Sequence, residues 1–207
     1  MNLTSLGLPI LLLAFSGMRL TSAAPEVTAS TTEPSLLIAA VSSEKPLREE
    51  SQELIPWTAR RIVGWEDFQS APVTGTEAVA STSTSLGLTY QLKDGVLTYN
   101  VTCNFQKTKS WGLMKTEYIL AHEQAHFDIT ELSARRLHKE LSSYVFDRRT
   151  FKADLTRIYN AVVAEKEALQ NTYDRETDHS RNRKVQAEWL QRIDQQLVES
   201  EPYASYP

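Results

Sequence analysis

A single cysteine, Cys103, occurs in 207 residues, so no internal disulfide can form. A packed core, with or without a metal, must then hold the fold even in an oxidising compartment. Cys103 lies on the apolar parity of a strand pattern, which fits a buried, inert thiol better than a nucleophile. The apolar run near the N-terminus, Leu6 to Phe15, is too short to span a bilayer. Basic residues are scattered in short pairs under a formal net charge of −4, which excludes the concentrated footprint that nucleic acid requires. Histidine is scarce too, with four in the chain.

What is present divides the chain into stretches. Residues 1–23 read as an export signal: the apolar run is followed by the small residues "TSAA", which offer cleavage near Ala23 or Ala24. No cysteine follows that would carry a lipid, so no stable membrane insertion is expected after cleavage, and the product is expected in the periplasm or outside the cell. Residues 24–53 are rich in Ser, Thr, Glu and Pro and read as a flexible tether. A folded domain is expected over 54–200, with 201–207 as a C-terminal tail.

Within that domain, Leu86, Leu88, Tyr90 and Leu92 alternate with polar residues. After "KDG" the alternation resumes at Leu97, Tyr99, Val101, Cys103 and Phe105. Period two on both sides of Asp-Gly predicts an antiparallel hairpin with one buried face. Beyond Ser110 the period becomes helical. A long helix is expected over about 115–144, with Ala125, Ile129 and Leu132 on one side and Phe127, Ala134, Leu137 and Leu141 on another. Apolar residues on two sides mean burial between layers. Further helices are expected over about 151–171 and around Val185 to Leu197, separated by a polar break at "YDRETDHS". Strands first and helices after give an α+β fold.

The long helix carries "HEQAH", His122 to His126. Residues four apart on a helix project side by side, so the imidazoles of His122 and His126 can converge on one cation. Glu123, about 100° round the axis, can reach a metal-bound water without being a ligand. This is the H-E-x-x-H arrangement of zinc hydrolases, and it predicts one Zn²⁺ per chain with Glu123 as general base. A third protein ligand is needed. His138 lies about 24 Å further along the helix, which leaves His179, with Glu176 and Asp178 as competitors in the same polar break. Asp128 is a possible second-shell partner, although on an ideal helix it points away from His122. Tyr173 is a possible oxyanion stabiliser.

The chain resembles a bacterial domain-of-unknown-function family described as predicted secreted zinc-dependent proteases. The resemblance rests on "WEDF" at Trp65 to Phe68, "SW" at Ser110-Trp111, "HEQAHFDITELSAR" at His122 to Arg135, and "YDRETDHS" at Tyr173 to Ser180. It spans about residues 60–197. The residue after the last histidine is often glycine in that pattern, whereas Ser180 stands here. The resemblance implies a zincin-like fold and a peptide or protein substrate. A zinc amidase acting on cell-wall peptides, or a non-catalytic module stapled by zinc, would use the same ligands.

Overall fold

A computed structural model describes residues 53–207. The expected signal and nearly all of the expected tether lie outside the described residues. The fold is α+β: antiparallel strands come first and three helices follow.

The hairpin forms as its alternation dictates. Strand β3 (Thr84–Lys93) pairs with β4 (Val96–Gln106) in one register from Thr84↔Phe105 to Lys93↔Val96. Two residues turn the chain, Asp94 and Gly95, both left-handed at φ 51° and 81°. A two-residue hairpin turn of this kind requires positive φ at both positions, which Asp-Gly tolerates best. Strand β1 (Leu54–Pro56) adds to the far side of β4, giving the order β1-β4-β3. Val101, Cys103 and Phe105 are buried at the open end of the hairpin, while Leu92 and Val96 beside the turn are exposed. Cys103 is a free buried thiol whose pKa burial pushes well up, so it is chemically quiet. A second, two-stranded sheet pairs β2 (Ala80–Ser81) with β5 (Trp111–Gly112). The Trp65 ring lies so close over Gly112 that a β-carbon there would come within 2.5 Å of it.

Helix α1 (Glu117–Ser142) starts at Thr116, whose side-chain oxygen accepts the Ile119 amide. It is buried on both expected sides. Phe127, Ala134, Leu137 and Leu141 pack into the core formed with the sheet. Ala125 and Ile129 pack with Tyr173, Trp189, Ile193 and Leu197. The last three come from α3 (Arg183–Glu199), which is capped by the Asn182 side chain.

The helix between them departs from expectation. Helix α2 runs Phe151–Thr177, so the "YDRET" expected in a polar break is its last turns. The apolar stripe of Leu155, Val162 and Leu169 continues one turn on to Tyr173, which is completely buried. No Gly or Pro interrupts it. The helix ends instead in three successive left-handed residues, Asp178, His179 and Ser180, at φ 50°, 49° and 70°. Ser180, where the family pattern often carries glycine, thus has the φ that glycine adopts most easily. Residues 201–207 are tied down rather than trailing: Tyr206 donates to Glu131 at 2.7 Å, and the Val101 amide donates to the Pro207 carbonyl at 2.8 Å.

Candidate metal centre

The candidate side chains come from the facing surfaces of two helices. His122, Glu123 and His126 project from consecutive turns of α1, and Gln170 and Asp174, four apart on α2, project toward them. All five line a cleft of about 1020 Å³. Residues 76–84 and Trp111 form part of its wall, and His179, Arg181 and Arg183 lie where the chain leaves α2.

At the centre, one oxygen of Asp174 lies 3.2 Å from His122 Nε2 and 3.1 Å from His126 Nε2. Donor atoms of these three residues all lie within 4.8 Å of one another. Two ligands of a tetrahedral zinc ion with bonds of about 2.0–2.1 Å stand about 3.3 Å apart, which the two Asp174–imidazole distances match. Two imidazoles and a carboxylate are also a donor set zinc accepts. Four residues lining the cleft each have a buried polar atom with no partner in the protein: Thr82 Oγ1, the Tyr118 hydroxyl, His122 Nδ1 and Glu123 Oε2. A carboxylate oxygen in that state is free to accept a proton or a hydrogen bond from a ligand in the cleft.

Charge is balanced locally. Burial alone would lower the His126 pKa, but the hydrogen bond to Asp174 and the charges of Glu123 and Asp174 raise it overall. Burial pushes the Asp174 carboxyl up, yet the two imidazoles outweigh it and hold the group well below the usual carboxylate range. The remaining nitrogen of His126, Nδ1, meets the Gln170 side-chain oxygen. His122 stacks on the Tyr173 ring at 4.6 Å between centroids.

The residues singled out in the sequence have different places. His122, Glu123 and His126 share the cleft as their spacing predicts. Asp174 joins them as well, although the sequence places "YDRET" in a polar break, where no helical face points to it. The Gln170–Asp174 spacing of four, read with a longer α2, is the signal that would have found it. His179 stands at the rim, its side chain 63% exposed, with Nδ1 3.9 Å from the Asp174 oxygen. Its competitors lie elsewhere. Glu176 accepts the Trp189 indole N–H at 2.8 Å, and Asp178 is exposed at the helix end. Asp128 does not reach the two histidines as a second-shell partner: its carboxylate is taken by Arg61, the Trp57 indole N–H and Gln124. The Tyr173 hydroxyl is buried beneath the imidazoles and directed at the His122 carbonyl, 3.4 Å away. Its ring packs against both imidazoles, and it is not among the residues that line the cleft.

Searches of curated proteins and of solved structures found no match. The family described as "Bacterial protein of unknown function (DUF922)" matches residues 22–180, a span that takes in His122, Glu123, His126, Asp174 and His179 and stops before α3. The chain belongs to that family.

Proposed function

We propose that the protein is an exported zinc-dependent metallopeptidase with Glu123 as its general base. The observation that carries this reading is the buried, unpartnered Glu123 carboxylate oxygen in the same cleft as two imidazoles and a carboxylate at metal-ligand spacing. His122, His126 and Asp174 would hold the ion, with His179 the next donor outward. Bound zinc supplies Lewis-acid polarisation of a carbonyl and a water acidified to a pKa of about 7. Glu123 accepts the proton of the attacking water and delivers it to the leaving amine. Residues 78–84, which line the same cleft, would contact the substrate.

Glu123→Gln is nearly isosteric and removes the base but no ligand. Zinc content and melting temperature should stay at wild-type values while hydrolysis falls about 10²- to 10⁴-fold. The substrate panel should include both a mixed peptide library and cell-wall peptides. One observation favours a second reading, a non-catalytic module stapled by zinc. Asp174 and His179 with the two imidazoles amount to four protein donors, enough to close a structural site. That reading replaces the first if wild type cleaves nothing and Glu123→Gln loses zinc. Asp174→Ala should weaken zinc binding more than His179→Ala, and the reverse order would make His179 the third ligand. Export predicts a mature chain starting near Ala24 or Pro25, read by mass spectrometry of the secreted protein.

A further inference from the structure

We infer that Gln170 is a positioning residue that locks His126 in the tautomer with its Nε2 lone pair facing the metal position. This rests on His126 being a ligand. Metal-bound histidines usually give their second ring N–H to an acceptor, which fixes ring orientation and basicity.

The direction of the amide follows from its partners. Gln170 Nε2 lies 2.9 Å from the His126 backbone carbonyl, which can only accept, so the nitrogen must stand there. The same nitrogen reaches Thr130 Oγ1 at 3.2 Å. Thr130 donates its own hydrogen to the His126 carbonyl at 3.0 Å, which leaves its oxygen to accept from Gln170 and from the Thr84 hydroxyl at 2.8 Å. Flipping the amide would set its oxygen against the carbonyl and lose both bonds. The Gln170 oxygen is therefore held toward His126 Nδ1, which must carry the hydrogen. Nε2 is then the nitrogen a metal would take, and its neighbour is the Asp174 oxygen at 3.1 Å, an acceptor that competes with Gln170 for the ring's proton. The network also joins β3, α1 and α2 at one point, through Thr84, Thr130 and Gln170. His122 has no such partner, since its Nδ1 is buried and unpaired. The lock thus acts on one of the two imidazoles.

Two variants separate the lock from mere packing. Gln170→Leu keeps the volume and removes the acceptor. Gln170→Glu keeps an acceptor for Nδ1–H but loses the donor to the His126 carbonyl. The first readout needs neither metal nor activity: long-range ¹H–¹⁵N spectra of the metal-free full chain at about pH 9, above the imidazole range, with Asp174→Ala removing the acceptor that faces Nε2. In that background the chain with Gln170 and the chain with Gln170→Glu should show His126 protonated at Nδ1, and Gln170→Leu should shift toward Nε2–H. The second readout is zinc affinity by chelator competition. It should fall about 10- to 100-fold in Gln170→Leu and hold in Gln170→Glu. With Asp174→Ala in place, an Nε2–H tautomer while Gln170 is intact, or an Nδ1–H tautomer that persists in Gln170→Leu, overturns the inference. So does an equal loss of affinity in both variants that merely tracks their melting temperatures. A chain that binds no zinc at all would instead overturn the proposed function, and the tautomer spectra would still decide the role of Gln170.

Discussion

His126 and Asp174 place opposite demands on pH, and the metal-free protein should record both. The His126 pKa is raised in the folded chain, so its contribution is fully present below the unfolded value of about 6.5 and is lost as pH rises through the folded value. Asp174 is depressed, so its contribution is present above about pH 4 and is lost as pH falls through the folded value. Both are present together only in mildly acidic solution. With a chelator present, the melting temperature should peak there and decline toward alkaline pH. Buried Glu131, whose carboxyl is pushed up, also loses stability as pH rises. The His126 share is therefore read as the difference from His126→Gln, and a difference that does not change with pH would refute it. Zinc binding should show the opposite trend, strengthening as pH rises, because the ion must displace the His126 proton.

Elements carry the site only through how they are tied, and the N-terminal segment shows this on the other face of α1. Arg61 holds both oxygens of Asp128 at 3.2 and 2.8 Å, and Trp57 adds its indole N–H at 2.8 Å. Asp128→Ala would orphan the indole and one arm of Arg61, costing about 1–3 kcal/mol in urea unfolding. The zinc affinity of the folded protein should not move, in contrast to Asp174→Ala. At the hairpin tip, Gly95→Ala meets φ 81° in open space, so only the backbone penalty of about 1–2 kcal/mol is expected. Such elements were legible because their signals are local: Asp-Gly between two alternations, and two apolar faces on α1. His122, Glu123 and His126 were legible for the same reason, lying within two turns of one helix. Gln170, inside the expected helix, had no signal of its own, and Asp174 was not legible because its place depends on how far α2 extends. That extent is set by Tyr173 burying itself under the histidines, a tertiary contact without a local signature. The β2–β5 pair escaped for a related cause: each strand has two residues, too few to show a period.

At the scale of the whole molecule, a buried ion pair closes the fold behind the site. Glu131, with no exposed surface, binds Arg135 at 2.8 Å and Tyr206 at 2.7 Å. Arg135 reaches on to the Leu197 carbonyl at 2.6 Å and lies over the Trp57 ring at 5.0 Å. One network thereby joins α1, the end of α3, the segment after β1 and the C-terminal residues. Burying two charges costs desolvation that their attraction need not exceed, whereas removing one partner leaves the other charge buried and uncompensated. Arg135→Met should therefore destabilise by about 3–5 kcal/mol. The double variant Arg135→Met with Glu131→Leu should recover much of that loss, since no charge then remains stranded. Tyr206→Phe, which leaves one carboxylate oxygen short of a partner, should cost about 1–3 kcal/mol. Urea unfolding of the four proteins measures all three quantities. A double variant no more stable than Arg135→Met would mean that the network acts through packing against Trp57 rather than through charge. Zinc affinity per folded molecule should be equal in all four. Glu131 stands more than a turn beyond His126 and faces Arg135 and the chain end, so it can fail without moving an imidazole.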